Sequence, residues 1–116
     1  MTASEEAKTI ARGVVAAAEE KLGQDIRVLD VSQRLSIADV FVIVTAGNER
    51  QAGAIVDAVE EKLLGEGFKP LRREGAQEGR WVLLDYGSVV VHVQQAEARG
   101  QFALDRLWFD SPDLTW

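Results

Sequence analysis

The chain has 116 residues, 47% of them hydrophobic and 28% charged, which is the length of one domain and the composition of an average soluble globular protein. Its 13 basic and 19 acidic residues give a net charge of −6, so the overall field opposes phosphate backbones and argues against a free-standing nucleic-acid binder. Having no cysteine excludes a disulfide scaffold, a thiolate metal site and a thiol nucleophile, and one histidine excludes a multi-histidine metal site.

Residues 1–6 carry two glutamates and no apolar stretch, unlike a secretory signal. Apolar runs such as residues 40–44 and 89–91 are strand-sized, far below the ~20 residues that span a bilayer. The cytoplasm is the expected location, with no membrane partner.

The first predicted element is a helix over residues 2–22. Thr2 and Glu5 fit a capping box, Ile10, Val14, Ala17, Ala18 and Leu22 recur at helical spacing, and Gly23 supplies a stop. A strand at 26–31 sets Ile26 and Val28 on one face and Arg27 and Leu29 on the other. Residues 32–38 are polar and turn-like. The unbroken apolar run at 40–45 predicts a strand covered on both faces. A second helix starts at the N-cap Asn48, with Gln51 three residues later. Ala52, Ile55, Val56, Val59 and Leu63 form its buried stripe, and Gly65 and Gly67 end it. Residues 69–73 read as a short strand and 74–79 as a polar turn flanked by Gly75 and Gly79. Strands at 80–85 and 88–94 make a hairpin turning at Tyr86 and Gly87. A last helix is expected over 96–108, followed by a loose tail at 111–116 containing Pro112.

The order is therefore α-β-β-α-β-β-β-α. A helix between the second and third strands permits a crossover and parallel pairing, while the final hairpin is antiparallel. The fold class is α/β or α+β, with a mixed sheet of about five strands flanked by helices.

Glycine-rich nucleotide cradles and a serine-nucleophile elbow are absent from the sequence. His92 lies on the strand face opposite Val89, Val91 and Val93 and reads as a half-buried sheet residue with one satisfied nitrogen. Asp39, after Ser36, Ile37 and Ala38, sits where nucleotidyltransferases hold magnesium carboxylates. Phe41 breaks the required D-x-D pair, and Leu35 stands where a glycine should precede the serine. Asp39 is therefore expected to brace the start of the strand. One segment opposes the net charge: Lys69, Arg72, Arg73 and Arg80 against Glu74 and Glu78, a local balance of +2. Beside it stand Trp81 and Tyr86. Such a mixture suits a protein interface or an RNA surface, and Trp81 could equally be core beside Leu83.

Residues 79–93, GRWVLLDYGSVVVHV, resemble the ribosomal silencing factor (Iojap-like) family. Asp30-Val31-Ser32 with residues 38–43 resembles its early block, Asn48-Glu49-Arg50-Gln51 its second-helix opening, and Arg106-Leu107-Trp108 its ending. The resemblance covers about residues 5–110, and implies one domain over 1–110 with the tail beyond it. It implies a nucleotidyltransferase-like fold without the catalytic set, no enzymatic activity and no cofactor or metal. It further implies binding to the large ribosomal subunit at its intersubunit face, through the fourteenth large-subunit protein. Bound there, the factor blocks joining of the small subunit and represses translation when nutrients are scarce. Limited contact with ribosomal RNA and a homodimer when free complete the expectation. Arg80, Trp81, Asp85, Tyr86 and His92 match the family motif and are the candidate docking residues. Trp81, Leu83 and Asp85 should share one strand face, with Arg80, Val82, Leu84 and Tyr86 on the other. Ser88 departs from the pattern where members often carry Asp, as do Gln94 and Gln95, which replace a more aromatic or acidic continuation. The competing readings are a nucleotidyltransferase-like enzyme, disfavoured by the missing second carboxylate, and a dimeric protein adaptor.

Overall fold

A computed structural model describes residues 3–33, 38–101 and 112–114. Helix α1 (Glu5–Glu20) is capped by Ser4, whose hydroxyl accepts from the Ala7 N–H at 3.1 Å. The cap is thus Ser4 and not Thr2, which lies outside the described residues. Two aspartates from the sheet fix this choice. Asp39 Oδ2 accepts from the Ser4 N–H at 3.0 Å, and Asp30 Oδ2 from the Ala3 N–H at 3.3 Å. Asp39 does brace the start of its strand, by tying it to the start of α1. Ile10, Val14, Ala17 and Ala18 are buried along the helix as their spacing predicts. Leu22 is not: it lies past the helix end at φ 63° and is 75% exposed.

Strands β1 (Gln24–Asp30) and β2 (Val40–Ala46) pair antiparallel, and helix α2 (Glu49–Gly65) follows. Asn48 Oδ1 accepts from the Gln51 N–H at 2.8 Å, and the whole predicted stripe, Ala52, Ile55, Val56, Val59 and Leu63, is buried. Then come β3 (Arg72–Glu74), β4 (Trp81–Asp85), β5 (Val89–Gln95) and α3, described over Ala96–Gln101. β3 begins later than predicted because Pro70 has no N–H to give to a ladder; pairing starts with the Leu71 N–H on the Asp85 carbonyl at 2.6 Å. The remainder of the last predicted helix, including Arg106, Leu107 and Trp108, lies outside the described residues.

The sheet order is β1-β2-β5-β4-β3, with β2 and β5 parallel and the other pairs antiparallel. Helices α1 and α2 cover one face. Val40, Val42 and Val44 of β2, Val82 and Leu84 of β4, and Val89, Val91 and Val93 of β5 meet Ile10, Val14, Ile55 and Val59 there. A smaller cluster of Leu29, Val31 and Ile43, with Phe41 against it, lies on the reverse face. β2 is therefore apolar on both faces, as its unbroken run predicts.

Residues 112–114 do not form the loose tail predicted for them. The Asp30 N–H donates to the Pro112 carbonyl at 2.9 Å, the Leu114 N–H donates to the Val28 carbonyl at 2.8 Å, and Arg27 pairs with Asp113 at 2.8 Å. This short return strand covers the outer edge of β1, which would otherwise offer unpaired backbone groups. Among the described residues, no helix is long and apolar enough to cross a membrane.

Asp30 also takes the Ser32 N–H at 3.0 Å and the Ser32 hydroxyl at 2.5 Å. Burial pushes its carboxyl up, but the bonds from Ser32 and Ala3 outweigh this and hold it below its ordinary value of 3.8. Its contribution is thus present above that value and fades as pH falls through the lowered one. Asp30→Ala strands these donors and should cost about 1–3 kcal/mol. Urea denaturation at pH 7 measures it, and an unchanged midpoint would show that the aspartate does not hold α1 to the sheet.

Candidate docking surface on the sheet

The face turned away from α1 and α2 carries every second residue of three adjacent strands. Cross-strand register sets these residues in rows. Phe41, Val90 and Asp85 form the first, Ile43, His92 and Leu83 the second, and Thr45, Gln94 and Trp81 the third. The predicted grouping of Trp81, Leu83 and Asp85 on one face of β4 holds.

His92 occupies the centre of this array. The sequence pattern predicts a half-buried residue, yet its exposure is only 4%. Neighbours on both sides close over it. Phe41 meets the imidazole edge-on at a centroid distance of 5.0 Å, and the Trp81 indole leans against it at 6.1 Å. Trp81 Nε1–H donates to His92 Nδ1 at 3.2 Å. One nitrogen is therefore satisfied, as predicted. That acceptor role leaves the proton of the neutral ring on Nε2, which is buried without a hydrogen-bond partner among the described residues. Burial pushes the imidazole down from 6.5 to about 4.

Next to His92 the sheet is grooved. A cavity of ≈ 380 Å³ is lined by Ala38, Phe41, Leu71, Leu83, Gly87, Val90 and His92, with Arg72 and Asp85 at its rim. Asp85 divides its carboxylate between the Gly87 N–H at 2.8 Å and Arg72 at 3.5 Å. Leu71 stands at the mouth, 73% exposed. Phe41, Leu71 and Val90 are absent from the motif-based candidates. Alternation could have found Phe41 and Val90, which share the phase of His92. Leu71 carries only a weak signal, as a lone large apolar residue between Pro70 and two arginines.

Two candidates fall elsewhere. Tyr86 turns to the helix face, where it is 8% exposed and belongs to the main core. Its hydroxyl has no partner among the described residues, and burial, helped by nearby Glu60 and opposed by Arg73, pushes it up to about 12. Tyr86 therefore packs the hairpin against α2 and does not share a surface with Trp81. Arg80 lies just before β4 and reaches Glu97 at 3.5 Å. The other two arginines of the basic segment are similarly engaged: Arg73 grips Glu60 of α2 with contacts of 2.5 and 2.6 Å, and Arg72 meets Asp85. Its local excess of positive charge is thus largely offset by neighbouring carboxylates. Gly75 (φ 78°) lets the preceding turn fold against the start of β4, where a side chain would strike the Trp81 carbonyl.

The family model described as "Ribosomal silencing factor during starvation" matches residues 4–115. The chain belongs to the ribosomal silencing factor family. The Bacillus subtilis protein named "Ribosomal silencing factor RsfS" is 35% identical over 105 residues, which cover 90% of this chain and 89% of that one. A crystal structure from Chromobacterium violaceum aligns with a TM-score of 0.85 at 34% identity, covering 87% of this chain and 84% of that one. A second, from Bacillus halodurans, aligns with a TM-score of 0.82 at 28% identity, covering 94% and 99%. The mixed five-stranded sheet with flanking helices is thus the architecture of the silencing-factor family, as the motif at residues 79–93 implies.

The buried imidazole makes stability depend on pH. Between about pH 6.5 and 4 the unfolded chain binds a proton at His92 that the folded chain refuses. The unfolded state then holds more protons, so this contribution is complete above that window and declines through it as pH falls. The loss is on the order of 3 kcal/mol. His92→Gln should remove this part of the pH slope in urea denaturation. Titration of the chain's single imidazole by NMR should give a midpoint near 4; a midpoint near 6.5 would contradict the burial.

Proposed function

We propose that this chain is a non-catalytic silencing factor that docks on the large ribosomal subunit and keeps the small subunit from joining. The observation that carries the reading is the half-buried Trp81 beside an apolar groove, on the sheet face opposite α1 and α2, in a chain of this family. Trp is strongly enriched among residues that dominate protein interfaces, and apolar pockets around such an anchor exclude water. The partner in this reading is the fourteenth large-subunit protein, on the intersubunit face. A net charge of −6 suits a basic ribosomal protein better than bare RNA. Engagement of Arg72, Arg73 and Arg80 with carboxylates leaves RNA a minor role.

Steric competition is sufficient for the effect. A bound domain fills the volume that the small subunit would occupy, so silencing follows the ratio of its free concentration to its dissociation constant. A patch of about 800 Å² per partner is enough for stable docking. Trp81, Leu83, Asp85 and the groove supply its centre. Arg80 lies at its margin, His92 beneath it and Tyr86 behind it. When free, two copies pair as a homodimer.

Co-sedimentation with purified large subunits at moderate salt tests the reading, with light scattering after small subunits are added to follow joining. The folded chain should pellet with large subunits and reduce joining in proportion to occupancy. Trp81→Ala should weaken binding at least about tenfold. Leu71→Asp separates docking from folding, because Leu71 is exposed: its denaturation midpoint should stay unchanged while binding falls about tenfold. A folded protein that does not co-sediment would overturn the reading.

A further inference from the structure

We propose that His92 is a positioning residue: it holds the Trp81 indole in its docking orientation and does not itself touch the partner. The inference rests on the docking reading above and adds a division of labour within the motif. At 4% exposure, His92 cannot offer a surface to another protein. Phe41 meets it edge-on at a centroid distance of 5.0 Å, and the Trp81 indole lies tilted against it at 6.1 Å. Among the described residues, its one hydrogen bond is that which Nδ1 accepts from Trp81 Nε1–H at 3.2 Å.

That bond has a directional consequence. The indole has a single polar atom, a donor. With an acceptor fixed in the sheet beneath it, the N–H points inward and the ring lies down across β4 and β5. Without one, the half-buried donor loses that partner and the ring its inward tether. The acceptor is itself well fixed, because β5 is paired on both sides and Leu83 and Ile43 flank His92 in its row. Rigid anchors bind better than mobile ones, since the ordering cost is met before the partner arrives. A buried histidine on the docking face thereby acts through the tryptophan it holds.

Two substitutions separate this role from simple packing. In His92→Asn the side-chain carbonyl oxygen sits the same number of bonds from the backbone as Nδ1 and keeps an acceptor there. His92→Leu keeps an apolar filler and removes the acceptor. The indole N–H signal of Trp81, identified by its loss in Trp81→Phe, reports the bond in the free protein. Co-sedimentation with large subunits reports docking. His92→Leu should shift the indole signal and weaken docking about tenfold, while His92→Asn keeps both near those of the unaltered protein. If His92→Leu fails to fold, His92→Gln replaces it, since its acceptor lies one bond too far out. An acceptor-less variant that docks normally, or one whose indole signal does not move, would overturn the proposal. So would His92→Asn with an unshifted indole and lost docking, which would mean that the imidazole is itself a contact. Should folded Trp81→Ala bind large subunits normally, the docking reading fails instead, while the indole signal still tests the bond.

Discussion

Parallel pairing of β2 with β5 is the contact on which the rest of the molecule depends. It joins the apolar strand β2 to the central strand of the sheet, residue against residue from Val40 with Val89 to Ala46 with Gln95. One phase of this register makes the floor under α1 and α2. The other phase brings Phe41 to Val90 and Ile43 to His92, and β4 extends both rows to Asp85 and Leu83. A slip of one residue would turn His92 into the helical core and Val91 outward. The same alignment that builds the core therefore builds the groove beside Trp81.

This arrangement divides the labour of the motif at residues 79–93 between two faces. Val82, Leu84 and Tyr86 close the core against the helices. Trp81, Leu83 and Asp85 meet the reverse side, where His92 lies under an aromatic cover. Asp85 also caps its own hairpin through Gly87, so the rim of the groove is set by the turn that reverses the chain. Core packing and the proposed docking face are thus carried by alternate residues of one hairpin, and damage to either face is felt at the other.

Much of this was legible in the sequence, and the failures share a cause. Helix α2 announced itself because its cap, its stripe and its stop are all local, and the faces of β4 followed from alternation alone. Where distant groups decide, local pattern misled. Thr2 with Glu5 fits a capping box better than Ser4 does, yet Asp30 and Asp39 reach across from the sheet to the Ala3 and Ser4 N–H groups and start the helix there. Residues 112–114 hold no strand signal, and their backbone is ordered by the open edge of β1. For the candidate site, the motif residues fall on both faces of the hairpin, with Tyr86 in the core. The depth of His92 could not be read from β5 alone, because side chains from neighbouring strands, Phe41 and Trp81 among them, pack against it. Leu71 enters the groove only because β3 lies beside β4.

The central claim concerns which face meets the ribosome, and site-directed photo-crosslinking tests it most directly. A crosslinker at position 71 would stand at the mouth of the groove. One at position 53 would stand on the outer side of α2, where Gly53 has open space around it. With large subunits present, position 71 should crosslink to one ribosomal protein and position 53 to none. Crosslinks from position 53 with none from position 71 would place docking on the helical side and contradict the account.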